Sequence, residues 1–179
     1  VTPSRAGRIR FTRPYYVFAA RLMARRDDTS LQPTLASLRG RRVGTLSNSF
    51  SFEMLRGTAE IVPYEGVEEP YIDLVNRRTD AVLLDDIISA RYGEPKPELR
   101  VVGDLTDGYY AVGVRRDEPE LQAALDGALQ RITARGELQQ ILTRANLWNE
   151  RQPRLAHWSD DEQRRMIGAV AAGQRFGWA

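Results

Sequence analysis

Between Ile9 and Arg25 the apolar positions follow no helical period. Ile9 and Phe11 alternate with arginines, Pro14 bars a helix, and Tyr15 to Met23 is dense in aromatic and aliphatic side chains, so an extended segment is expected. A polar stretch, Arg26 to Gln32, leads to a short helical turn over Pro33 to Leu38 that Gly40 closes. A strand–helix rhythm follows. Arg42 to Leu46 reads as a strand, and the Ser47-Asn48-Ser49-Phe50-Ser51 loop opens a helix running to about Arg56. Ala59 to Tyr64 is a second strand, and Val67 to Arg78 a helix with Tyr71, Leu74 and Val75 on one face. Ala81 to Leu84 is a short, wholly apolar strand, and a further helix begins at Asp85 and runs to Tyr92. Strands that alternate with short helices imply βαβ units, a parallel sheet and an α/β fold.

Gly93 to Glu98 is a Pro-rich connector, Arg100 to Gly103 another strand, and Tyr109 to Val114 is again extended, alternating and aromatic. Pro119 starts a long helix with Leu121, Leu125, Ala128, Leu129 and Ile132 on one stripe, ending near Gly136. A shorter helix spans Glu137 to Ala145. In the tail, Ser159-Asp160-Asp161-Glu162 fits a capping box that opens a helix to about Gln174.

Composition narrows the function classes. With 42% hydrophobic residues the 179-residue chain can bury a core, and its 28% charged content is ordinary for a soluble protein. The 26 basic and 24 acidic residues are interleaved, leaving a net charge of +2 and no electrostatic footprint for a nucleic-acid partner. The absence of cysteine excludes disulfides, thiolate zinc sites and cysteine nucleophiles. His157 is the only histidine, so a zinc site is not expected. No apolar run approaches the roughly 18 residues of a membrane span, and Val1-Thr2-Pro3-Ser4-Arg5 lacks the apolar core of a signal peptide.

Several ordered motifs carry a family likeness. Thr2-Pro3-Ser4-Arg5 with Ile9-Arg10-Phe11-Thr12-Arg13-Pro14-Tyr15-Tyr16 resembles the signature before the first hinge in amino-acid-type solute-binding proteins of ABC importers (bacterial extracellular solute-binding family 3). Leu35-Ala36-Ser37-Leu38-Arg39-Gly40-Arg41-Arg42-Val43-Gly44, Asp80-Ala81-Val82-Leu83-Leu84-Asp85, Tyr110-Ala111-Val112-Gly113-Val114-Arg115-Arg116 and the helical pattern over Leu121 to Trp148 agree in order. The resemblance implies a type II periplasmic-binding-protein-like α/β fold. Residues 1–17 would form the edge of one lobe and the first hinge, and 18–110 a complete parallel-sheet lobe. Residues 111–150 would be the return hinge and closing helices of the first lobe, and 151–179 a helical tail or linker. In the family a strand–helix segment of roughly a hundred residues precedes the position of Thr2 and builds most of the first lobe.

An amino-acid zwitterion needs a cation and backbone donors for its carboxylate and a carboxylate for its ammonium. The resemblance places Arg5 for the first, through a bidentate guanidinium fork, against the plain reading of a solvated arginine. Asp85 ends an apolar strand at the carboxyl edge of the sheet, where ligands bind; it would pair with an ammonium or act simply as a helix N-cap. Asp86 would complement the helix dipole, and Asp80 would be a loop or capping residue. Ser47, Asn48 and Ser49 offer N–H groups and hydroxyls suited to an anion, or an ordinary capped helix start. Phe50 intrudes on that loop and would wall an apolar pocket. Asn48 stands where the family commonly has glycine. Core packing is the default for Tyr15, Tyr16, Tyr109 and Tyr110.

The function implied is extracytoplasmic binding of an amino acid or similar polar solute for ABC-type uptake, without cofactor or catalysis. Its partners would be a membrane permease, separate or fused in the same polypeptide, and a second copy if the incomplete lobe dimerises. The location implied is periplasmic, free or tethered to the membrane. A sensor or interaction domain of a larger receptor is the alternative. A dehydratase-type enzyme on the same fold would have only Asp85 and scattered glutamates as proton carriers.

Overall fold

The wholly apolar run after Asp80 becomes the central strand of a five-stranded sheet. The computed structural model describes residues 1–159 and 161–162. Its strands are β1 (Arg10–Arg25), β2 (Arg42–Leu46), β3 (Glu60–Tyr64), β4 (Ala81–Asp85) and β5 (Leu99–Val114), in the order β3-β2-β4-β1-β5. The helices are α1 (Pro3–Ala6), α2 (Phe50–Leu55), α3 (Glu69–Val75), α4 (Asp86–Tyr92), α5 (Pro119–Ala134) and α6 (Glu137–Arg144), with 3-10 turns at Leu35–Leu38 and Gln152–His157. The sheet is mixed. β2 runs parallel to both β3 and β4, as the strand–helix alternation requires, but β1 is antiparallel to β4 through Ala20↔Asp85 to Met23↔Val82. β1 precedes the βαβ units and reaches β2 through the 26–41 stretch, which holds a 3-10 turn rather than a crossover helix, so nothing holds it to the parallel direction.

The chain divides into two compact units, one of Phe18–Gly108 and the other of Val1–Val17 with the described residues from Tyr109 onward. In the Phe18–Gly108 unit both sheet faces are covered. Ala20, Leu22, Ala24, Val43, Ala81 and Leu83 pack with Leu38 and Leu55 on one side. Met23, Val82, Leu84 and Leu99 pack with Tyr71 and Leu74 of α3 on the other. This explains why β4 has no polar alternation until Asp85, since a strand covered on both faces is apolar throughout. Each fully buried leucine contributes about 1.5–3 kcal/mol. Helix α3 is shorter than the expected Val67 to Arg78 span, and Arg77 beyond it adopts a left-handed φ of 62°. The Leu99–Val114 segment, expected as two extended pieces, is one continuous strand. Its polar middle is accommodated because Asp104 accepts two hydrogen bonds from Arg21, at 2.8 and 3.1 Å.

In the other unit, α5 is anchored through its polar groups. Asp126 Oδ1 accepts from the Arg13 N–H at 2.6 Å, and Gln122 Nε2 donates to the Phe11 carbonyl at 2.6 Å. The expected apolar stripe of α5 is only part-covered: no residue of the helix is buried, and Leu121 is 46% exposed. α6 buries Leu138 and Leu142. Tyr16 is buried and stacks on Tyr110 at 5.7 Å, which fits the packing role expected of these tyrosines. The capping box is present, with Ser159 Oγ accepting from the Glu162 N–H at 3.1 Å and Glu162 Oε2 accepting from the Ser159 N–H at 2.7 Å. The rest of the helix expected to about Gln174 lies outside the described residues.

Candidate ligand-binding site

The parallel β2–β4 pair sets the geometry. Its register, Val43↔Ala81 and Gly44↔Val82, carried forward along both strands brings Ser47 level with Asp85. The loop after β2 and the end of β4 therefore lie together at the carboxyl edge, where a parallel sheet presents its loops to ligands.

Asp85 occupies the N-cap position of α4 with an extended backbone (φ −63°, ψ 141°), yet its side chain makes no capping hydrogen bond. It is half-buried, after four buried residues of the strand. Its neighbour Asp86 is buried in the first turn of α4, where Oδ1 accepts from the Ile87 N–H at 3.0 Å. Asp80, at the opposite end of β4, serves the loop there: its carboxylate accepts from the Arg42 N–H at 2.9 Å and from the Arg42 guanidinium at 3.0 Å. Burial alone would raise the Asp80 carboxyl, but the bonds and charge of Arg42 outweigh it and hold it below the ordinary aspartate range. A lowered folded-state value gives stabilisation that is complete above the unfolded value, near pH ~4, and is lost as pH falls through the folded value. Asp80→Asn is thus expected to lower stability by about 1 kcal/mol at neutral pH, a modest figure because Arg42 is partly solvated. The gap from the parent should narrow as the pH falls below the ordinary aspartate range, which urea melts at neutral and acid pH would read.

In the loop, Ser47 extends the ladder, its N–H donating to the Tyr64 carbonyl at 2.8 Å. Asn48 has a φ of 54°, in the left-handed region that glycine enters freely and asparagine tolerates better than most residues. That conformation explains how asparagine can stand where the family commonly has glycine. Ser49 is the N-cap of α2, its hydroxyl accepting from the Phe52 N–H at 3.1 Å. The capped helix start is thus present, and of the three loop residues only Asn48 is exposed, Ser47 and Ser49 being half-buried. Phe50 is half-buried and meets Phe18 edge-to-face at 5.5 Å, so one side of its ring is held by the core.

Thr45, which the sequence pattern did not single out, supports this loop. It is fully buried, donates to the Leu83 carbonyl at 2.9 Å and lies 3.4 Å from the Ser49 hydroxyl. A hydroxyl between Gly44 and Leu46 of the strand was its only signal. Arg5 belongs to the other unit, where it is exposed on α1 and its carbonyl accepts from the Arg8 and Ile9 N–H groups. His157 is exposed in the Gln152–His157 turn. Among the described residues no cluster of three or more His, Cys, Asp or Glu side chains could hold a metal. No helix among them is long and apolar enough to cross a membrane.

Residues 1–146 match the family described as bacterial extracellular solute-binding proteins, family 3. The chain belongs to that family. This family 3 chain is 30% identical over 150 residues to ABC transporter arginine-binding protein 1 of Escherichia coli K12, aligning 79% of itself with 60% of that protein. It is 31% identical over 158 residues to the lysine/arginine/ornithine-binding periplasmic protein of the same organism, covering 56% of its length. Against the histidine-binding periplasmic protein of Salmonella typhimurium the figures are 28% identity and 59% of its length. The family 3 chain thus spans about 60% of the length of these relatives. Among solved structures it resembles an ancestral arginine-binding protein bound to arginine, with a TM-score of 0.73 at 22% identity over 80% of this chain and 67% of that one. The P235GK mutant of ArgBP from T. maritima gives the same TM-score at 20% identity, over 80% of this chain and 64% of that one. The fold is that of the type II periplasmic binding proteins.

Proposed function

We propose that this chain supplies ligand-binding residues of an extracytoplasmic protein that captures a cationic amino acid, such as L-arginine, for ABC-type uptake. Family membership over residues 1–146 carries the reading. The position of Asp85 supports it: a half-buried carboxylate at the carboxyl edge of the sheet, with no capping bond to α4. The relatives named for arginine, for lysine, arginine and ornithine, and for histidine share ligands with basic side chains.

In this reading Asp85 receives the ligand ammonium, and the Arg5 guanidinium takes the ligand carboxylate in a two-bond fork. The loop of Ser47, Asn48 and Ser49 adds donors, and the free side of Phe50 gives an apolar wall. Residues 1–17 and 111–150 belong to one lobe with its two hinge passages, 18–110 form the other lobe, and 151–179 are a tail. The protein works as a binder that hands its ligand to a membrane permease, from the periplasm and with or without a membrane tether. It turns nothing over and needs no cofactor.

A thermal-shift series of this chain against the twenty amino acids tests the proposal. A ligand at a hundred times its Kd stabilises the native state by about 2.7 kcal/mol, so L-arginine should raise the melting temperature by several degrees. A chain that responds to none of the twenty sinks the reading.

A further inference from the structure

The chain leaves its first unit at Val17 and re-enters it at Tyr109. One short segment, residues 149–158, holds both points, and it lies beyond the 1–146 stretch that matches the family. Val17 is fully buried and lies outside the β1–β4 ladder, which covers only Ala20 to Met23. Its N–H nevertheless donates to Gln152 Oε1 at 3.0 Å, and its carbonyl accepts from Gln152 Nε2 at 2.7 Å. One side-chain amide thereby serves both backbone groups of a strand residue, as a neighbouring strand would. The same Nε2 also donates to Asn149 Oδ1 at 2.8 Å, so both donors and the acceptor of the amide are in use. Gln152 itself is fully buried.

At the far end of the segment the Trp158 ring packs on Tyr109, with centroids 5.1 Å apart and planes at 59°. The Trp158 carbonyl accepts from Arg13 Nη2 at 3.3 Å, and Leu155 between the two anchors is buried. Burial alone would be served better by an apolar residue, because a buried amide recovers its desolvation cost only through such bonds. What Gln152 adds is a fixed backbone position at Val17.

We propose that residues 149–158 form a strap that fixes β1 and β5 where they leave the first unit, with Gln152 and Trp158 as positioning residues for ligand capture. The strap rests on the reading of the chain as part of a two-lobe binder. On the other side of the same two points, Phe18 lies against Gly108. In this proposal the strap leaves the 17–18 and 108–109 links, where the chain passes from one unit to the other, as the places that bend. Loss of the strap lets the ligand-free chain visit more arrangements. The binding-competent fraction falls, and the apparent Kd rises in inverse proportion.

The chain has no cysteine, so Ala36→Cys with Ala123→Cys places one spin label on an exposed position of each unit. Electron–electron distance distributions are recorded with and without L-arginine in the labelled parent, in Gln152→Ala and in Trp158→Ala. Trp158 is only half-buried, so its removal puts folding at less risk. Both variants are expected to broaden the ligand-free distribution and to weaken L-arginine binding about fivefold. A folded variant with an unchanged distribution overturns the strap, whatever L-arginine does. If the parent itself fails to bind L-arginine, the ligand assignment falls, and the ligand-free widths alone decide the strap.

Discussion

Asp85→Asn should weaken L-arginine binding by about a hundredfold, enough to remove saturable heat from a calorimetric titration at ordinary concentrations. The substitution keeps the size and planarity of the side chain and removes only its charge. An ammonium held by a carboxylate gains charge-assisted hydrogen bonds, roughly twice as strong as neutral ones, in a site where water is displaced. An amide offers one acceptor and adds a donor that faces the ammonium protons. Asparagine is as good an N-cap residue as aspartate, and α4 takes no capping bond from this side chain, so the helix start is expected to survive the change; a thermal melt of the variant checks that it does. Retained parental affinity in Asp85→Asn would remove Asp85 from the site.

The largest expected effect on stability is at Gly108. A Cβ there would fall 2.7 Å from both Cε atoms of Phe18 and nearer still to its Cζ. That ring cannot simply swing aside, for Phe18 is 1% exposed and fixed edge-to-face against Phe50. Gly108→Ala should therefore cost about 3 kcal/mol, at the upper end for overpacking in a close-packed interior. Phe18→Leu combined with Gly108→Ala should cost less than the sum of the two changes, because the shorter side chain vacates the clash. Denaturant melts of the four proteins read this directly, and strict additivity would show that the ring and the glycine do not compete for space.

Much of the Phe18–Gly108 unit was legible because its patterns are local. β2, β3 and β4 are short runs set off by turn residues, and the serine-rich 47–51 loop placed the start of α2, which the structure contains. The end of β4 at Asp85 could be placed for the same reason: an aspartate follows four apolar residues and precedes a helix. Continuity of β5 was not legible, since Asp104, Thr106, Asp107 and Gly108 look like a break. Two of these have distant partners, Arg21 for Asp104 and Phe18 for Gly108, and no local pattern announces partners so far along the chain. Helix α5 shows the converse. Its apolar stripe is plain in the sequence, but periodicity states which face is apolar and not what covers it. In the candidate site, the commitment of the Ser49 hydroxyl to its helix and of the Phe50 ring edge to Phe18 depends on side-chain placement alone. Gln152 gave no signal, being one polar residue in a polar tail.

The division of the chain also sets an order of assembly. Phe18–Gly108 is one uninterrupted stretch, whereas the other unit needs Val1–Val17 and residues from Tyr109 onward at the same time. Synthesis from the N-terminus delivers the continuous stretch first, so it can collapse on the ribosome while Val1–Val17 waits for its partners. Joining those separated pieces closes a loop of some ninety residues and brings the late, high-separation contacts that slow folding. An arrest series of growing nascent chains should accordingly show protease resistance appearing in two steps. The first would come once Gly108 clears the exit tunnel, and the second only after α5 and α6 have followed it.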